Sequence, residues 1–82
     1  MATVKYYGAL AQLTGKKEET LPGRNVSGLL RAIGAQYGRP VALKARRCHI
    51  VVNGYNAGAL RGFATPISDE DEVIFLPVCG GG

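Results

Sequence analysis

The sequence predicts an α+β domain of two layers, one main helix lying on a mixed sheet of four to five strands. Three observations carry this. Short runs rich in β-branched and aromatic residues recur along the chain, parted by turn residues. A single stretch, Val26 to Tyr37, places its apolar residues on one helical stripe. The 82 residues leave room for one small core and for no second domain.

Thr3 to Tyr7 reads as the first strand, with Val4 and Tyr6 pointing one way and Thr3, Lys5 and Tyr7 the other. Leu10 and Leu13 fall at helical spacing in a short turn that Gly15 ends. Lys17 to Leu21 is a second, shorter strand whose charged residues suit a sheet edge. In the helix, Val26, Leu29, Leu30, Ile33 and Tyr37 recur at i, i+3, i+4, i+7 and i+11, and Asn25 is its N-cap. Gly38 in a left-handed cap and Arg39-Pro40 stop it. Gly28 and Gly34, costly inside a helix, imply close packing of that helix on the sheet. Residues 39–47 read as a basic loop, Cys48 to Val52 as a third strand and Asn53-Gly54 as a hairpin turn. Tyr55 to Ala57 is a brief return strand, 58–64 a loop, 65–69 a turn and Glu72 to Leu76 the last strand. The order β-β-α-β-β-β with one helix matches a β-grasp, ubiquitin-like arrangement. Pattern alone does not give the order of strand pairing, though the first and last strands are apolar enough to lie centrally.

In the last strand Val73 and Phe75 face one side and Ile74 and Leu76 the other, and all four are apolar. One helix covers one sheet face. Tyr7, Ile74 and Leu76 are therefore expected on an open face as a partner-binding patch, unless segment 55–64 folds over it.

Composition narrows the function. A net charge of +4 with 46% hydrophobic residues describes an ordinary globular chain. The basic cluster Arg39, Lys44, Arg46 and Arg47 lacks interleaved aromatics, so no nucleic-acid partner is expected. No basic segment followed by an apolar one opens the chain, and no apolar run is long enough for a bilayer. A cytoplasmic protein without a membrane partner, its Cys48 and Cys79 reduced, is expected. The lone His49 and the neighbouring Cys48 point to opposite strand faces and make no catalytic pair. Asp69 to Glu72 lack calcium-loop spacing and read as a solvated turn; no metal site is expected. Cys79 has no adjoining base to lower its pKa. The chain is not expected to catalyse a reaction on its own, nor to hold a cofactor stably.

What remains is the ending, Cys79-Gly80-Gly81-Gly82. Glycines bury nothing and lose the most freedom on ordering, so this run does not serve a core. It offers a slim backbone ending in a carboxylate, suited to a channel too narrow for side chains. The organisation expected is a domain over 1–77 and a flexible glycine tail over 78–82.

Asp71-Glu72-Val73-Ile74-Phe75-Leu76-Pro77-Val78-Cys79-Gly80-Gly81-Gly82 resembles the ending of the MoaD proteins, the small subunits of molybdopterin synthase. Val4 to Leu10, Asn25 to Leu30, Val52-Asn53-Gly54 and Thr65-Pro66-Ile67 resemble the wider MoaD/ThiS sulfur-carrier family. The resemblance implies that a ubiquitin-activating-like adenylating enzyme uses ATP to adenylate Gly82. A persulfide on a sulfur-donor protein then converts it to a thiocarboxylate. It implies that Gly80 and Gly81 give slim passage into the synthase large subunit, where sulfur is donated to a pterin precursor for the molybdenum or tungsten cofactor. Tyr7, Ile74, Leu76, Pro77 and Val78 would contact the partner. Two alternatives stay open: a carrier for thiazole or cysteine synthesis, and a ubiquitin-like modifier joined through Gly82 to lysines.

Overall fold

Alternation along the three central strands sorts the chain into a covered and an uncovered sheet face. The computed structural model describes residues 1–77. Over that span run β1 (Ala2–Tyr6), α1 (Ala9–Thr14), β2 (Glu18–Leu21), α2 (Val26–Tyr37), α3 (Arg39–Arg46), β3 (His49–Val52), β4 (Tyr55–Asn56) and β5 (Glu72–Leu76). Two short 3-10 turns, Ala57–Ala59 and Gly62–Ala64, lie between β4 and β5. The sheet order is β2-β1-β5-β3-β4. β1 and β5 are parallel, with Val4 beside Val73 and Tyr6 beside Phe75, and the other pairings are antiparallel. Both apolar strands, β1 and β5, are thus interior, as their composition requires. The architecture is the expected β-grasp.

Val4, Tyr6, Val73, Phe75, Ile50 and Val52 face the helices and are buried, together with Val26, Leu29, Leu30 and Ile33 of α2. Asn25 caps α2 as expected, its Oδ1 accepting from the Gly28 amide at 2.7 Å. Asn53 and Gly54 both take positive φ, 51° and 87°, the conformation a two-residue hairpin turn demands.

Three expectations are corrected. Residues 39–46 form a helix and not a basic loop. Proline lacks an amide hydrogen that the first helical turn does not use, so Pro40 starts α3 where it was read as ending α2. Gly38 has positive φ but an extended ψ (99°, 162°), a corner between two helices in place of a left-handed cap. Gly28 and Gly34 do allow close packing, but not on the sheet. A Cβ on Gly34 would stand 3.3 Å from Ala42 of α3, and one on Gly28 would stand 3.2 Å from the Gly23 backbone.

β2 lies at the sheet edge, as its charged residues suited, and Glu19 within it turns to the helix side beside Val4. The Tyr6 hydroxyl donates to its Oε2 at 2.6 Å, the Tyr37 hydroxyl at 2.7 Å, and Lys16 Nζ stands 3.1 Å from Oε1. Burial pushes the Glu19 carboxyl up, but the donors from Tyr6, Tyr37 and Lys16 together outweigh it and hold the group below its ordinary value. The same contacts raise both tyrosines: burial first, then the Glu19 hydrogen bond.

Candidate functional site

β5 is the strand from which the C-terminal segment departs, and its neighbours shape the point of departure. Continuing the parallel register beyond Tyr6 and Phe75 sets Tyr7 beside Leu76, while His49 of β3 lies opposite Leu76. Pro77 follows. The Gly8 backbone, at φ 61°, passes so close that a Cβ there would stand 3.2 Å from the Pro77 ring. That backbone combination belongs to glycine, and the close approach leaves no room for a larger residue without displacement. Gly8 thus seats the root of the segment, a role the sequence reading missed.

The structure brings Tyr7, Ile74, Leu76 and Pro77 together at one end of β5. Tyr7 is 47% exposed, Ile74 and Leu76 are half-buried, and Pro77 is exposed. Val51, paired with Ile74, extends the apolar strip across β3; its place in the strand alternation would have revealed it. The strip is flanked by the Lys5–Glu72 ion pair at 2.9 Å, which raises the Lys5 ammonium through its hydrogen bond to Glu72. Segment 55–64 does not fold over this face. Its Ala57 is buried on the helix side, and Phe63 lies with Arg46 4.7 Å above its ring, beside Leu30.

On the other side of the root lies a groove of about 440 Å³, walled by Tyr7, Pro40, Leu43, Lys44, Arg47 and Pro77. Three of these come from α3 and Arg47 caps its C-terminal end, which explains why a reading of 39–47 as a loop missed it. Cys48 also lines the groove, its thiol 3.5 Å from the Lys44 carbonyl and pushed up in pKa by burial. A raised thiol pKa lowers the thiolate fraction at neutral pH.

The acidic stretch has structural employment. Asp69 receives the N-terminal ammonium at 2.8 Å. Asp71 accepts from Asn53 Nδ2 at 2.9 Å and from the Ser68 amide at 2.8 Å, and the hydrogen bond from Asn53 chiefly lowers its pKa. No helix among the described residues is long and apolar enough to cross a membrane. Val78, Gly80, Gly81 and Gly82, with Cys79, lie outside the described residues.

Comparison with solved structures places this geometry. The small archaeal modifier protein 1 of Methanosarcina acetivorans superposes with a TM-score of 0.86 at 26% identity, over 99% of this chain and 95% of that one. CysO of Mycobacterium tuberculosis gives 0.85 at 25% identity, over 95% and 99% of the two chains. A putative molybdopterin converting factor subunit 1 of Pyrococcus furiosus gives 0.66 at 26% identity, over 94% and 97%. Among curated proteins no sequence relative matches. The family model for the ThiS family matches residues 4–82, nearly all of the chain, with the glycine run included. The chain therefore belongs to the ThiS family of ubiquitin-like sulfur carriers and protein modifiers.

Proposed function

We propose that this protein carries sulfur on its own C-terminus, and that Gly82 is the reacting residue. The observation that carries the reading is that the family match runs through to residue 82, onto a glycine run that no folding role explains. The terminal carboxylate, with a reference pKa of about 3.3–3.7, is ionised at neutral pH and resists nucleophiles. Attack of one of its oxygens on the α-phosphorus of ATP expels pyrophosphate and leaves an acyl-adenylate. The terminal sulfur of a donor persulfide then attacks the acyl carbon and expels AMP, forming an acyl disulfide. A second thiol reduces that S–S bond, leaving the thiocarboxylate on Gly82 and a disulfide on the thiol side. Each of these groups belongs to a partner: an adenylating enzyme that uses ATP and a persulfide protein. The domain supplies the handle, with Tyr7, Ile74, Leu76 and Pro77 as its contact and Gly80 and Gly81 as slim passage.

For the acceptor, the resemblance of residues 71–82 to MoaD endings and the similarity to the Pyrococcus furiosus protein support a pterin precursor on a synthase large subunit. A second reading, a modifier joined through Gly82 to lysines, is favoured by the higher TM-score of 0.86 with the small archaeal modifier protein.

Intact-mass spectrometry after incubation with an adenylating enzyme, ATP and a persulfide donor separates the two. A gain equal to one sulfur replacing one oxygen is expected at the C-terminus, and removal of Gly82 should abolish it while leaving the fold intact. Loading that survives the deletion would sink the mechanism, and lysine-linked conjugates in place of thiocarboxylate would assign the modifier role.

A further inference from the structure

The groove beside Pro77 has a charge pattern that the carrier chemistry does not require. Every carboxylate side chain of the protein lies at 18–19 or 69–72, and none occurs between Thr20 and Ser68. No carboxylate lines the groove. Pro40, Leu43, Lys44 and Arg47 recur at i, i+3, i+4 and i+7, so one stripe of α3 and its C-cap residue Arg47 presents two cations beside apolar side chains. Among the described residues neither Lys44 nor Arg47 makes an ion pair, whereas Lys5, Lys16 and the N-terminus all do. Leu43, 46% exposed, and Tyr7, 47% exposed, line the same groove. Like charges gathered around exposed apolar side chains raise the local potential, a pattern that steers and orients an oppositely charged surface.

Position decides what that surface belongs to. Residues 77–82 span at most about 20 Å when fully extended. A partner that buries Gly82 must hold the mouth of its channel within that distance of Pro77, and Pro77 itself walls the groove. We infer that the groove docks the rim of the adenylating partner's channel, a protein surface bearing carboxylates around an apolar side chain. Lys44 and Arg47 pair with the carboxylates, and Leu43 and Tyr7 receive the apolar residue. This inference rests on the carrier reading of Gly82.

The test is ATP–pyrophosphate exchange catalysed by the cognate adenylating enzyme, with the full-length protein as substrate. Lys44 and Arg47 are exposed, so the double variant K44E/R47E keeps its core. Its KM should rise about tenfold at low salt with kcat little changed, and the gap should close as salt shortens the Debye length. The neutral pair K44Q/R47Q should fall between. R24E/R61E makes the same change in net charge beside the 65–71 segment, away from the groove, and should leave KM alone. Equal KM changes in the two reversed pairs would reduce the effect to net charge and overturn the docking. Exchange at an unchanged KM in K44E/R47E would overturn it too, while leaving the carrier reading standing. Salt-dependent binding of an oligonucleotide that K44E/R47E abolishes, with KM unaltered, would assign the face to nucleic acid instead. No exchange with the unaltered protein would remove both readings.

Discussion

The two faces of β5 carry equally apolar side chains and meet opposite fates. Val73 and Phe75 are fully buried against Val4, Tyr6 and the α2 stripe, while Ile74 and Leu76, one residue away, stay half-buried beside Tyr7 and Val51. Hydrophobicity does not separate them; the helices and the segment after β4 all pack on one side. The covered face stores stability, and the uncovered one keeps apolar surface that a lone domain gains nothing by exposing. The strand that anchors the fold is also the strand that leads into the C-terminal segment, so the uncovered apolar strip shares its backbone with the core.

That division can be broken from either side. The largest effect belongs to the covered face: Phe75→Ala should cost about 3–5 kcal/mol in denaturant unfolding, a large share of what so small a domain holds. A loss no greater than for a surface substitution would mean the face is not packed as described. Next comes the Glu19 knot. Glu19→Gln should cost roughly 1–3 kcal/mol by weakening the acceptor of Tyr6 and Tyr37. The sign of its pH dependence follows from its depressed pKa. The folded state holds the proton less tightly than the unfolded state, so the contribution is full above the ordinary value of 4.5 and is lost as pH falls below it. Acid unfolding curves should therefore be shallower in Glu19→Gln; identical slopes would remove Glu19 from the acid response.

Gly8→Ala should cost about 1–3 kcal/mol, because φ 61° combined with ψ −133° is a conformation that suits glycine and the added Cβ presses on Pro77. Its informative readout is activation at Gly82, which should fall further than stability does if the root of the segment is seated by that contact. The smallest effect on stability is expected at the uncovered face. Leu76→Glu should shift unfolding by only about 1 kcal/mol, yet it should weaken binding of the adenylating enzyme strongly. Equal losses in stability and binding would erase the contrast between the faces.

Much of this was legible because it is local. The α2 stripe, its Asn25 cap, the Asn53-Gly54 turn and the alternation of β1 and β5 each depend on residues a few positions apart, and the structure matches them. The open patch of Tyr7, Ile74 and Leu76 followed from that alternation once one helix was counted. Helix α3 was not legible: Gly38 and Pro40 punctuate a stop and a start alike, and the basic run after them carries only Val41 and Ala45 as buried residues. Missing α3 hid the groove of Lys44 and Arg47. The inward turn of Glu19 was hidden for another reason, since its partners Tyr6 and Tyr37 are distant in sequence and only the fold makes them neighbours.

By itself, then, the sequence determined the elements that short-range periodicity and turn chemistry specify, and it set the glycine run apart as a stretch no core could use. The tertiary structure alone decided the β2-β1-β5-β3-β4 order, the face left uncovered, and the contact that seats Pro77 on Gly8. The physical reason is range. A cap or an amphipathic stripe is written within one or two turns of chain, whereas which strand pairs with which, and which charges are left without partners, depends on how all the apolar surfaces are buried at once.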